Sequence, residues 1–179
     1  MKKQNPSKKA IFVEGETEEK LVKALFKIKC KKFNLWNVNP QKLEASLRVL
    51  QDLSEVYILI DTDEDITLKM HNFVCNIKAL IKNKIKVHIL VQTYNFEDEL
   101  CYSMNLKKEK MIQFFNADNI KVFKNNFLKE NDLLVKLNKI GFKVEKLWNR
   151  ANLNEKVKDI PNIADIISID KFINDIKIH

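Results

Sequence analysis

Residues 56–60 read Val-Tyr-Ile-Leu-Ile, and the five that follow read Asp-Thr-Asp-Glu-Asp. An apolar run without alternation is the pattern of a strand buried on both faces, which places it in the middle of a parallel sheet. The strand then turns acidic within one residue. Asp61, Asp63 and Asp65, with Glu64 beside them, gather at the point where a central strand opens into a loop. Carboxylates this close resist joint ionisation unless a cation compensates. Oxygen ligands suit magnesium or manganese, and the absence of His or Cys beside them offers little to zinc.

Composition narrows the class further. A chain of 179 residues, 45% hydrophobic and 31% charged, is expected to form one globular domain. Only two Gly and three Pro argue against collagen-like, linker-like or many-turned all-β chains. Cys30, Cys75 and Cys101 are scattered and odd in number, as in a reduced intracellular protein. No apolar run approaches a membrane span, and the N-terminus lacks a signal-peptide core, so a cytoplasmic protein with no membrane partner is expected. Lys2, Lys3, Lys8 and Lys9 supply half of the +8 net charge from a polar leader, residues 1–9, expected to be disordered. Only Arg48 and Arg150 are arginine. The lysine excess reads either as the imprint of an AT-rich genome or as a phosphate-binding surface.

Taken in order, the chain alternates strand and helix patterns. Residues 10–13 form a short buried strand, and Glu14-Gly15-Glu16-Thr17-Glu18-Glu19 follows at once. Thr17 can cap a helix over 17–30, with Glu18 and Glu19 at the positive end of its dipole. A second strand is expected within 33–38, a helix over 41–53 opened by Pro40, a helix over 66–83 and a strand over 86–91. The order β-α-β-α-β-α-β predicts a four-stranded parallel sheet, Rossmann-like, with helices on both faces. Residues 98–115 and a stretch near 128–140 read as helices, the latter stopped by Gly141. The Ile-rich tail reads as helical segments closing the core. These divisions give an α/β core over 10–105 and a mostly helical extension over 106–179 packed on the same domain.

Ligands in such sheets bind outside the carboxyl ends of the strands, where the strand order reverses. If the first and third strands are neighbours, Glu14 stands beside Asp61 and Asp63. That would cradle one or two magnesium ions able to hold a phosphodiester and activate water. Gly15 would let the backbone turn and approach a phosphate closely.

Val13-Glu14-Gly15-Glu16-Thr17-Glu18, followed some 45 residues later by Ile60-Asp61-Thr62-Asp63, resembles the Toprim domain, with its Glu-Gly after the first strand and Asp-x-Asp after the third. Topoisomerases, bacterial primases, OLD-family nucleases and small RloB-like defence proteins share that domain. The resemblance covers about residues 10–100. It implies a Mg2+ (or Mn2+) site in which Glu14 binds metal or does acid/base work, Asp61 and Asp63 bind metal, and Asp65 extends the pattern. Phe96-Glu97 and the acids after it are similar to a later acidic motif of the nuclease and RloB-like branches, which makes Glu97 an extra ligand and Glu99 a weaker candidate. No topoisomerase tyrosine setting and no primase zinc or helicase module is present. With glycines only at 15 and 141, no ATP-binding Gly-x-x-x-x-Gly-Lys loop can form, so any ATPase would be a separate chain.

Three functions remain in play. The first is a metal-dependent nuclease or related phosphoryl-transfer protein acting on DNA or RNA, in a phage-defence setting. The second is a non-catalytic Toprim module binding nucleic acid or a partner ATPase. The third is a phosphatase or glycosyltransferase using Asp61-Thr62-Asp63 as its own motif. Against each acid stands the plain alternative of a solvated loop residue or helix cap, which weighs most on Glu64, Asp65 and Glu97. His71 and His88 read as helix-surface and strand residues, Trp36 and Trp148 as core or interface, and the cysteines as chemically idle.

Overall fold

The computed structural model describes residues 8–48, 53–62, 66–149 and 164–176. Its strands are β1 (Lys8–Val13), β2 (Lys29–Lys32), β3 (Leu53–Ile60), β4 (Lys86–Val91) and β5 (Asp165–Ile166). They form one sheet in the order β2-β1-β3-β4-β5, every neighbouring pair parallel. The helices are α1 (Glu16–Leu25), α2 (Pro40–Arg48), α3 (Ile66–Lys82), α4 (Phe96–Met104), α5 (Lys108–Phe114), α6 (Ile120–Lys129), α7 (Leu133–Asn138) and α8 (Ile169–Asp175), with a 3-10 turn at Val144–Lys146.

Alternation along the central strands sorts the core into two layers. Ile11, Val13, Tyr57, Leu59 and Leu90 face α1 and the helices of the second half, where Phe115, Phe123, Phe127, Trp148 and Phe172 are buried. Ala10, Phe12, Val56, Ile58, Ile89 and Val91 face the other way, against Leu43, Phe73, Ile77 and Leu80 of α2 and α3. Helices therefore cover both faces. This explains why β3 and β4 read as unbroken apolar runs.

Several expectations are corrected. The sheet has five strands, because Ile167 donates to the Ile89 carbonyl at 2.9 Å and draws a short strand from the tail onto β4. The second strand is Lys29–Lys32, ahead of the expected Phe33–Val38. An edge strand needs backbone pairing more than burial, and lysines there deter further strand addition. β1 starts at Lys8, within the stretch expected to be a disordered leader; Lys9 lies 3.1 Å from Glu55 and donates to the Asp175 carbonyl at 3.0 Å. Residues 1–7 lie outside the described residues, as does Arg150. The long helix expected over 98–115 is two, parted at Asn105, which adopts φ 53 and closes α4 in the left-handed region where Asn is tolerated. Gly141 does end a helix, at φ 79, with the Phe142 N–H reaching back to the Leu137 carbonyl.

Among the described residues, no helix is long and apolar enough to cross a membrane.

Candidate active site

The order 2-1-3-4-5 reverses between β1 and β3, so the crevice for a ligand opens beyond Val13 and Ile60. Glu14 and Asp61 are the next residues on those two strands. The Glu14 carboxylate accepts the Asp61 backbone N–H at 3.2 Å, Trp36 Nε1–H at 2.7 Å and the Asn34 amide at 2.9 Å. Three donors thus fix its orientation. Asp61 is held from the other side, where the Gln92 amide donates to its Oδ1 at 2.5 Å. Strand adjacency turns a 47-residue separation into contact between the first acid and the backbone of the second.

The segment after β2 serves this site. Phe33 donates its N–H to the Val13 carbonyl at 2.8 Å, and the Asn34 side chain accepts the Trp36 N–H, folding the loop so that both residues reach Glu14. Trp36 is buried and stacks on Phe73 with ring centroids 4.0 Å apart, so its indole is both core and carboxylate clamp.

Gly15 bears on the site through space, since its φ of −121° is open to any residue. A Cβ there would lie 2.5 Å from Glu18 Oε2. Glu18 folds back over the start of α1, accepting the Thr17 hydroxyl at 2.9 Å and its own backbone N–H. Burial pushes its carboxyl above the ordinary range; those hydrogen bonds pull the other way, and Glu97 adds to the rise.

Glu97, in the first turn of α4, is buried, and its Oε1 forms an ion pair with Lys124 of α6 at 2.9 Å without a well-aligned hydrogen bond. Lys124 feels Glu97, Glu18 and Asp61 together. Burial alone would lower its pKa, but that attraction holds it above the ordinary lysine value. Lys124 is therefore ion-paired with Glu97 and lies in the field of Glu18 and Asp61. The cleft before them, about 1080 Å³, runs from Glu14, Gly15, Glu18 and Asp61 to Lys121 and Lys124 on α6.

Asp63 and Asp65, expected as further metal ligands, lie outside the described residues, as does Glu64. Glu99 does not face the cleft. Its carboxylate is buried and accepts the N–H groups of Thr93 at 3.0 Å and Trp148 at 2.6 Å, tying the end of β4 to the second half of the chain. Sequence reasoning missed Glu18, taken as a dipole partner only, and Lys124, Asn34 and Gln92. For Lys124 the available signal was the Ile120, Phe123, Phe127 spacing of an amphipathic helix, with lysines on its other side.

The lining residues of the cleft include carboxylates and amides but no His or Cys, a donor set that fits a hard divalent cation. A second group lies at the amino end of the sheet, where Glu55, His88 and Asp175 bring three candidate ligand atoms within 4.8 Å of one another and could hold a metal. Lys9, 3.1 Å from Glu55, already places a positive charge there. His88 is a buried strand residue, as its sequence context suggests, with Nε2 at 2.8 Å from Glu55. The thiols of Cys30 and Cys101 are pushed up by burial to about 12 and about 11, unsuited to nucleophilic work.

Fold and site together define a Rossmann-like parallel α/β protein with an acidic site at its topological switch point. No family model, no curated protein and no solved structure matches the chain.

Proposed function

We propose that this is a Toprim-like, Mg2+-dependent phosphodiesterase acting on DNA or RNA. The observation that carries the reading is the placement of Glu14 and Asp61 side by side at the β1/β3 switch point, the Glu14 carboxylate 3.2 Å from the Asp61 N–H. A magnesium or manganese ion, bound by Asp61 and Glu14 with Asp63 and Asp65 as the remaining sequence candidates, would supply Lewis-acid polarisation of a phosphoryl oxygen. The chain's own groups do the rest. Asn34, Trp36 and Gln92 hold the two acids in place, and Lys124 offers a positive charge to a phosphate or its leaving oxygen. The start of α1 adds backbone N–H groups favourable to anions.

The Glu97–Lys124 ion pair at the cleft also supports a second reading, in which the ammonium stands in for the ion and the module binds nucleic acid or a separate ATPase without turnover. Cleavage of single- and double-stranded DNA and RNA with magnesium, manganese or EDTA separates the two. Metal-dependent cleavage abolished in Asp61→Ala supports the enzyme. Cleavage that survives chelation or that substitution rules out the proposed site, and binding without turnover in any metal favours the second reading.

A further inference from the structure

We infer that Tyr94 is a stacking platform for an unpaired base, so that the substrate of the Glu14–Asp61 site is single-stranded nucleic acid; this rests on the phosphodiester reading above. Tyr94 follows β4 and is 62% exposed, against 57% for Val135, 45% for Ile81 and 37% for Tyr102, the other large exposed apolar residues described. A ring so exposed adds little to the core. Its backbone nevertheless sits at φ 67, a left-handed conformation that is strained for a non-glycine residue and that Gly or Asn fills more readily.

The ring's base is locked to the acidic site. Thr62 donates its N–H to the Tyr94 carbonyl at 2.8 Å, and Tyr94 donates its N–H to Thr62 Oγ1 at 2.9 Å. Thr62 Oγ1 in turn donates to the Gln92 carbonyl at 2.9 Å, and the Gln92 side chain holds Asp61. The Tyr94 main chain is therefore fixed to the residue that follows Asp61, and its ring is exposed there. The cleft that Asp61 lines also carries Lys32, paired with Glu16, and Lys121 and Lys124 of α6. An exposed aromatic ring near lysines is a pairing that binds single strands, because every unpaired base has a π-face to stack and every nucleotide a phosphate to neutralise. A duplex keeps its bases stacked internally and offers Tyr94 no free face.

The test is anisotropy with a short single-stranded oligonucleotide carrying 2-aminopurine, and with the matching duplex, calcium replacing magnesium to prevent cleavage. Wild type and Tyr94→Phe are expected to bind the single strand alike, more tightly than the duplex, and to quench the fluorophore. Tyr94→Ala and Tyr94→Gly should weaken single-strand binding roughly 5- to 150-fold, lose the quench and leave duplex binding unchanged. Gly accepts φ 67 without strain, so Tyr94→Gly should melt no lower than wild type, which keeps misfolding out of the comparison. Equal single-strand affinity in wild type and Tyr94→Gly, or no oligonucleotide binding by wild type, overturns the proposal. Tyr94-dependent binding without cleavage in magnesium would support the platform while removing the phosphodiesterase reading.

Discussion

Glu18 and Glu55 are both carboxylates against the same layer of the core, yet their environments drive them in opposite directions. Burial raises the Glu18 carboxyl, so its contribution to stability is present below the ordinary carboxylate range and is lost as pH rises through the raised folded value. Glu18→Gln should therefore gain on wild type as pH is raised from 4 to 8 in paired melting curves; a difference independent of pH would refute this assignment. For Glu55 burial also raises the carboxyl, but hydrogen bonds from Lys9 and His88 outweigh it and the net shift is downward. Its contribution is then present above the ordinary range and lost as pH falls. Glu55→Gln is expected to cost about 1–3 kcal/mol at neutral pH, because it removes the charge paired with Lys9 and weakens the contact to the buried His88 ring. That cost should fade below about pH 4.5, and chemical denaturation at two pH values checks it. At Gly15 the clash of an added Cβ falls on the far end of the Glu18 side chain, which can move aside. Gly15→Ala should accordingly melt within a few degrees of wild type while losing at least about tenfold in cleavage, as the displaced carboxylate disturbs Lys124. A variant with full activity would show that the seat of Glu18 is irrelevant to the site.

Among the elements, α6 matters most to function and was hardest to read. Its inner side places Phe123 and Phe127 against Phe115 and Phe96, and its outer side carries Lys121 and Lys124 into the cleft. Phe127→Ala should destabilise by about 3–5 kcal/mol in urea unfolding, since the buried ring leaves a cavity that its aromatic neighbours can only partly close. A loss below about 1 kcal/mol would mean that the helix is not anchored there. β3 and β4 are legible because burial on both faces leaves no choice of residue but apolar. β2 is not, since an edge strand of Lys-Cys-Lys-Lys pairs through its backbone and leaves no periodic trace. The helix of α6 was obscured by Asn119, Asn125 and Asn126, yet Asn119 is its cap, accepting the Val122 N–H at 3.0 Å. Glu99 misled in the other direction: an acid within an acidic cluster proved to be an internal staple for two backbone amides.

At the scale of the whole molecule, the second half of the chain does more than close the core. It covers one face of the sheet, adds β5 to its edge and supplies, through α6, the wall of the cleft that faces Glu14 and Asp61. Adjacency of the first and third strands enters the sequence reading only as a condition, because the β-α-β order leaves the order of strands in the sheet open. The lysine opposite could not be anticipated, because it arrives from a helix whose position depends on aromatic packing far along the chain. The central claim is that Glu14 and Asp61 share a divalent cation. Manganese binding followed by electron paramagnetic resonance on wild type, Glu14→Gln and Asp61→Asn tests it most directly, with Glu55→Gln as the control for the group at the other end of the sheet. Both active-site substitutions should weaken binding of the same ion by at least about tenfold while Glu55→Gln leaves it intact. Wild-type manganese affinity in both Glu14→Gln and Asp61→Asn would contradict the claim.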